Sequence, residues 1–223
     1  QASMTQRAGR AGRLEPGICL HLIAKEQAER AAAQSEPEIL QSDLSGLLME
    51  LLQWGCSDPA QMSWLDQLPA VNLQAAKRLL RMLGALDGER LSAQGQKMAA
   101  LGNDPRLAAM LVSAKSDDEA ATAAKIAAIL EEPPRMGNSD LGVAFSRNQP
   151  AWQQRSQQLL KRLNVRGGEA DSSLIAPLLA GAYADRIARR RGQDGRYQLA
   201  NGMGAMLDAD DALSRHEWLI APL

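Results

Sequence analysis

The chain has few of the residues from which disulfide frameworks, metal sites and aromatic surfaces are built. Its 223 residues include two cysteines and two histidines, and only 3% of them are aromatic. Two cysteines form neither a disulfide framework nor a zinc site, so we expect no bound metal. Cys19 and Cys56 both lie in apolar contexts, where a free cysteine usually acts as a small buried hydrophobic residue.

Targeting and membrane-spanning patterns are also missing from the sequence. No apolar run approaches the roughly 20 residues that cross a bilayer, and no secretory signal pattern is present. Cysteines that are not organised into disulfides are typical of a reducing compartment. We therefore expect a protein that acts in the cytoplasm and does not bind a membrane.

A formal net charge of −1 gives the whole chain no general attraction to nucleic acid. The charge is unevenly distributed, however. Residues 155–196 carry nine Lys and Arg against four acidic residues, whereas residues 117–132 carry five acidic residues against Lys125. The basic stretch fits a nucleic-acid surface and an ordinary solvated surface equally well.

Alanine and leucine dominate the sequence, and both favour helices. N-cap residue types, among them Asn72 and Ser92, precede several apolar-periodic segments. Helices are predicted over 44–54, 73–83, 93–101, 106–115, 117–132, 152–163 and 173–191. Strands are predicted over 18–23, 196–200, 202–208 and 218–221. The Asp87-Gly88 turn precedes a short extended piece, so residues 37–91 fit either a winged helix or a plain helical bundle.

The segment Gln6 to Arg13, which reads QRAGRAGR, is the most specific feature of the chain. Arginine recurs at every third position, which on a helix keeps the guanidinium groups near one face. The interleaved glycines remove side-chain bulk, so that a ligand can approach closely. Planar groups with several donors suit phosphate oxygens. The alternative interpretation is an arginine-rich solvated helix end.

This string matches the sixth conserved motif of superfamily 2 helicases in its DEAH-box form. The whole chain resembles the bacterial HrpB-type ATP-dependent RNA helicases of that family. Two further segments support the resemblance, residues 78–112 and residues 195–208, which read RLLRMLGALDGERLSAQGQKMAALGNDPRLAAMLV and GRYQLANGMGAMLD. The first of them resembles the helicase-associated region that follows the motor domains.

The resemblance implies a mainly α fold with four parts. Residues 1–36 would be the end of the second RecA-like α/β lobe, a remnant that carries the sixth motif. Residues 37–91 would form a winged helix and residues 92–170 a helical ratchet bundle. Residues 171–223 would form a terminal helix and the first β-strands of an incomplete OB-like barrel.

Two motifs on which such helicases depend are missing from the chain. The sequence has no G-x-x-x-x-G-K-[ST] phosphate loop and no D-E-x-H string. Relative to the family the chain looks cut at both ends, and we expect it to be inactive as an ATPase by itself. Two alternatives stay open, an ATP-independent nucleic-acid-binding module and a protein-interaction module.

The resemblance also implies roles for particular residues. Arg10 and Arg13 would be arginine fingers, and Gln6 would contact the γ-phosphate or the attacking water. ATP with Mg²⁺ would be used by the complete enzyme, with no cofactor bound to this fragment.

Single-stranded RNA or another nucleic acid is the partner that the family implies. Candidate contacts, all arginines in the basic stretch, are Arg162, Arg166, Arg189, Arg190 and Arg191. The last three also fit a second role, in which they complement the C-terminal end of the predicted helix 173–191. Trp152 and Tyr197 are predicted to be buried anchors more than stacking residues.

Overall fold

The computed structural model describes residues 1–34, 36–56, 58–102, 104–134, 139–192, 194–208 and 210–222. They divide into two units. The first unit consists of residues 1–42 and 63–69, and the second of residues 43–62 and 70–223.

The first unit contains two helices, α1 (Ala2–Ala11) and α2 (Lys25–Arg30), and a 3₁₀ turn at Glu38–Leu40. The strand predicted over 18–23 is wrong, because this segment is not a strand and its apolar side chains are exposed. A strand satisfies its backbone groups only by pairing with a neighbour. The described residues of this unit contain no strand that could pair with it. Cys19 is likewise exposed, contrary to expectation.

The second unit begins with two packed helices, α3 (Ser45–Gln53) and α4 (Ala70–Met82), which a short hairpin follows. The hairpin strands β1 (Leu86–Asp87) and β2 (Arg90–Leu91) are antiparallel. Gly88 has a φ of +60°, as the predicted turn requires. Asn72 is not the N-cap of α4, because the helix begins two residues before it. Helices followed by a hairpin are the elements expected of a winged helix.

Five helices make up the next layer, and side-chain caps fix the start of several of them. Ser92, Asp104 and Ser116 each accept backbone N–H bonds at a helix start. Alanines on the third of these helices are buried, which lets it pack closely against its neighbours. The helices are α5 (Ala93–Leu101), α6 (Pro105–Val112), α7 (Asp117–Glu131), α8 (Leu141–Phe145) and α9 (Pro150–Leu163).

The long helix predicted over 173–191 is wrong in its second half. After a 3₁₀ turn at Ser172–Leu174, α10 covers only Ile175–Ala182. A second 3₁₀ turn follows, and then strand β3 (Ile187–Arg190). Pairing with strands on both sides of β3 overrides the helical preference of this segment. The three arginines therefore do not complement a helix end.

The remaining strands are β4 (Arg196–Leu199), β5 (Gly204–Met206) and β6 (Trp218–Ile220). They form an antiparallel sheet with the order β5-β4-β3-β6. Ala188, Tyr197 and Leu199 form the buried core of its inner face. Among the described residues the sheet is open, as expected for a few strands of an incomplete barrel.

Candidate functional site

The side chains of the arginine–glycine string are exposed and have no intramolecular partners. Gln6 and Arg10 lie on α1, and Arg13 lies just beyond its C-terminal end at Ala11. Within the described part of the chain, none of these three side chains forms a hydrogen bond or an ion pair. Nothing in the described part of this chain therefore occupies their polar groups.

The glycines of the string leave open space beside the arginines. A Cβ added at Gly9 or at Gly12 would meet no atom within 4 Å. At Gly17 the situation is different, because a Cβ there would collide with the Ala11 carbonyl. Gly17 is thus required by the turn that follows α1, whereas the packing of this chain does not require Gly9 and Gly12.

Backbone and side-chain hydrogen bonds hold α1 against the segment that contains α2. The Ala2 N–H donates to the Ala33 carbonyl at 2.9 Å, and the Gln1 Nε2 donates to the Glu29 carbonyl at 3.0 Å. Met4 and Ala8 are half-buried, while the side chains at positions 6, 7 and 10 face solvent. The helix therefore turns its small and apolar residues inward and keeps its polar groups outside.

Strand alternation separates the basic triplet Arg189, Arg190 and Arg191. The Arg190 Nη1 donates to the Arg215 carbonyl at 3.0 Å. The Arg189 Nη2 lies 3.3 Å from Glu217 Oε1, and its guanidinium lies 5.4 Å from the ring centroid of Trp218. The Arg191 side chain is exposed and has no partner in the described residues. One run of three like charges thus has three different environments.

Arg162 and Arg166, the other two candidate contacts for nucleic acid, also differ from each other in their surroundings. The Arg162 Nη1 donates to the Leu101 carbonyl at 2.8 Å, which satisfies an acceptor at the end of α5. Arg166 is exposed and has no partner in the described ranges. Arg162 lines a cleft between helices, whereas the triplet lines a cleft on the sheet. The structure therefore does not gather the five predicted arginines into one cleft.

Trp152 and Tyr197 are buried anchors, as predicted. Trp152 Nε1 donates to the Glu132 carbonyl at 3.0 Å. The Tyr197 hydroxyl lies 2.8 Å from the His216 carbonyl and 3.0 Å from the Leu213 carbonyl. Neither aromatic ring is free to stack on a base.

Sequence reasoning missed an exposed tryptophan. Trp218 was expected only to be part of a strand, yet 56% of the residue is exposed and Arg189 lies against its ring. Side chains alternate between the two faces of a strand. Because Leu219 of the run WLI packs on the inner face, its neighbour Trp218 points outward, and this alternation is the signal that could have identified it.

Sequence reasoning also missed a partly buried ion pair that joins α6 to the turn before β3. Two nitrogens of Arg106 bind the two Asp185 oxygens at 2.7 and 2.8 Å, and Nη1 also donates to the Ala182 carbonyl at 2.9 Å. The hydrogen bonds from Arg106 lower the pKa of Asp185. Burial raises the pKa of Tyr183 to about 12, so a neutral phenol ring lies beneath the guanidinium.

Two features are absent from the residues that the structure describes, a cluster of metal-ligating side chains and a helix that could span a membrane. No three residues among His, Cys, Asp and Glu lie together there in a way that could hold a metal ion. None of the helices there combines the length and the apolar character that a membrane span requires.

Comparison with known proteins gives matches over the full chain, although no family model matches. The chain is 96% identical over all 223 residues to the ATP-dependent RNA helicase HrpB of Escherichia coli K12, and spans 28% of its length. It is 34% identical over 122 residues to the ATP-dependent RNA helicase HrpA homologue of Haemophilus influenzae, which covers 51% of this chain and 9% of that protein.

Two solved structures match the whole chain at 96% identity, and the chain covers 28% of each. One is described as the E. coli DEAH/RHA helicase HrpB and has a TM-score of 0.93. The other is described as the E. coli DExH-box NTPase HrpB and has a TM-score of 0.88. The resemblance predicted from the arginine–glycine string is confirmed.

Proposed function

We propose that this chain, which matches a segment of an HrpB-type DEAH/RHA helicase over its whole length, is the part of an ATP-dependent RNA helicase that presents arginines to the nucleotide. The observation that supports the proposal most directly is the exposure of polar side chains on the first helix and just after it. Gln6, Arg10 and Arg13 are exposed and unpartnered among the described residues, beside glycines with open space around them.

The chemistry of these groups fits one side of a triphosphate site. Guanidinium groups donate several hydrogen bonds and stay charged, which suits phosphate oxygens on which charge develops during phosphoryl transfer. Arg10 and Arg13 would act as arginine fingers, and Gln6 would orient the γ-phosphate or the attacking water. ATP supplies the phosphoryl group, and acidic residues elsewhere in the complete helicase would hold Mg²⁺.

Single-stranded RNA is the second proposed ligand, held mainly through its phosphates. Arg166 and Arg191 are the contacts that we favour, because their side chains are exposed and have no partner among the described residues, whereas Arg189 is already paired with Glu217. Arg162 and Arg190 each donate one N–H to a carbonyl, which leaves the remaining donors of each guanidinium for a phosphate. An RNA helicase of this kind would act in the cytoplasm.

The nucleotide role is tested by Arg13→Ala in the full-length helicase that contains this chain. We expect kcat for ATP hydrolysis to fall at least about a hundredfold with little change in KM, because the contact strengthens in the transition state. Arg30→Ala is the matched control, since Arg30 is an exposed arginine on the neighbouring helix of the same unit. Near-normal turnover in the Arg13→Ala enzyme would refute the finger assignment.

The alternative function is a nucleic-acid-binding module that needs no ATP, and the exposed basic residues near β3 favour it over a protein-interaction scaffold. Titration of the chain with labelled single-stranded RNA at two salt concentrations, without nucleotide, tests it. Tight binding with a steep salt dependence supports RNA contact by this chain alone. Binding that requires ATP and the rest of the helicase would reject the independent module.

A further inference from the structure

We propose that a cleft between helices α5, α6, α7 and α9 is a docking site for an acidic segment of a partner protein that carries aliphatic side chains. The cleft has a volume of about 450 Å³. Its lining residues all lie between positions 97 and 165, within the second unit and away from both ends of the chain. An aliphatic floor and a rim of unpaired cations support the proposal, and neither depends on the proposed function.

The floor of the cleft is aliphatic. Leu101 and Leu111 are buried at its base, while Val165 is 37% exposed at its edge. Proteins that bind single-stranded nucleic acid stack its bases on aromatic rings, and none of the described residues that line this cleft is aromatic. The volume lies within the range of about 300–1,000 Å³ in which proteins bury a compact ligand. One or two aliphatic side chains of a partner would therefore fill the cleft.

Three cations from three different elements surround this floor. Lys97 lies on α5, Lys115 lies in the loop between α6 and α7, and Arg162 lies in the last turn of α9. The side chains of both lysines are exposed and have no partner among the described residues. A single carboxylate among those residues, that of Asp117, lines the cleft with them. The rim is therefore positively charged and attracts an acidic group.

Other acidic residues near the cleft do not neutralise this rim, because they bind backbone N–H groups instead. Glu119 Oε2 accepts from the backbone N–H of Lys115 at 2.7 Å, and Asp118 Oδ1 accepts from the Glu169 N–H at 2.8 Å. Neither carboxylate pairs with a lysine ammonium in the described part of the chain. A carboxylate from outside the chain can therefore pair with the rim cations.

Arg162 is held in a position that suits a carboxylate. Its Nη1 donates to the Leu101 carbonyl at 2.8 Å, which fixes the guanidinium beside the floor. A guanidinium has several N–H donors in one rigid plane, so the others stay free to bind the two oxygens of a carboxylate. The proposal assigns these donors to a carboxylate in place of a phosphate. An acidic side chain bound here would bring neighbouring aliphatic side chains of its segment to the apolar floor.

The test uses the full-length helicase that contains this chain and a fluorescein-labelled peptide of the sequence EELLEELLEE, followed by fluorescence anisotropy. We expect this peptide to bind. Matched peptides with serine in place of leucine, or with lysine in place of glutamate, should bind at least about tenfold more weakly. Each replacement removes one half of the proposed recognition, either the aliphatic contact or the charge.

Two kinds of variant locate the peptide at the cleft. Lys97→Glu and Lys115→Glu should each weaken binding at least about fivefold and make it less dependent on salt, because like charges then face each other. Val165→Ser should weaken binding about threefold with an unchanged salt dependence, because it removes only apolar contact. Lys161→Glu is the matched control and should bind normally, since Lys161 is an exposed neighbour of Arg162 that does not line the cleft. Basal ATP hydrolysis establishes that each variant is folded.

Four outcomes would overturn the proposal. If the acidic peptide does not bind the full-length helicase, or if Lys161→Glu weakens binding as much as Lys97→Glu, this cleft is not the docking site. If labelled oligouridine displaces the peptide and Lys97→Glu weakens the binding of both, the occupant is nucleic acid. If the helicase self-associates and Lys97→Glu abolishes the association, the occupant is a second copy. The proposed function stands in each case, because neither its arginine fingers nor its favoured RNA contacts line the cleft.

Discussion

The ion pair between Arg106 and Asp185 makes the strongest prediction about stability. It connects α6 to the turn between α10 and β3, residues 79 apart in sequence. Arg106 is only 8% exposed, and the Asp185 side chain is 25% exposed. Truncation of the arginine in Arg106→Ala leaves the carboxylate and the Ala182 carbonyl without the donors that now satisfy them.

The magnitude follows from this geometry. Removal of one partner of a buried ion pair costs about 3–5 kcal/mol, since an uncompensated charge remains. Water can reach part of the Asp185 side chain after truncation, so we take the lower end and expect a loss of about 3 kcal/mol in the free energy of unfolding. A domain has about 5–15 kcal/mol in total. Arg106→Ala should therefore remain folded but unfold at a clearly lower urea concentration.

The measurement is urea unfolding followed by circular dichroism, with Glu89→Gln as the control. Glu89 pairs with Lys77 and Arg81, but its side chain is 57% exposed, so this change should cost at most about 1 kcal/mol. Equal losses in the two variants would contradict the reasoning. The double variant Arg106→Ala with Asp185→Ala should lose less than the sum of its two single changes.

The same pair predicts a dependence on pH. Arg106 lowers the pKa of Asp185 in the folded chain relative to the unfolded chain. The pair therefore contributes its full stabilisation above a pH of about 4, which is the pKa of an aspartate in the unfolded chain. The contribution is lost as pH falls through the lower pKa of Asp185 in the folded chain. The difference in unfolding free energy between the unchanged chain and Arg106→Ala should shrink at acid pH. A difference that stays constant from about pH 7 to about pH 3 would show that the charge of Asp185 is not its source.

Three further changes should be measurable by the same unfolding experiments. Gly95→Ala should cost about 1–3 kcal/mol, because a Cβ there collides with the Ala85 carbonyl and the helix must move. Tyr197→Phe should cost about 1 kcal/mol, since its hydroxyl is the partner of carbonyls in the loop before β6. Arg162→Ala should cost about 1 kcal/mol, because it removes the donor to the last carbonyl of α5.

The features that could be predicted from the sequence are those that residues close in the chain decide. Ser92 and Asp104 cap helices at the expected positions because a side-chain oxygen reaches an N–H two or three residues away. Pro133 and Pro134 follow the last turn of α7 because proline cannot continue a helix. The arginine–glycine string at 6–13 was recognisable for the same reason, since its spacing is local.

The features that could not be predicted depend on partners distant in sequence. An apolar run such as 18–23 becomes a strand only if another strand lies beside it, and the run itself does not specify one. The segment 183–191 looks helical by composition, yet β4 and β6 pair with its second half. A helix and a strand distribute the same residues to different faces. The prediction of a helix where the chain forms β3 therefore also predicted the wrong surroundings for the arginines at 189–191.

The two groups of arginines show how much function depends on that distribution. On α1 the spacing of three keeps Arg7 and Arg10 on one side, so the sequence pattern and the spatial pattern agree. On β3 the consecutive Arg189 and Arg190 point to opposite faces, so one supports an exposed indole and the other binds a carbonyl. A count of basic residues treats the two arginines of β3 as equivalent. Only the strand register shows that Arg189 lies beside an indole ring while Arg190 donates to a backbone carbonyl.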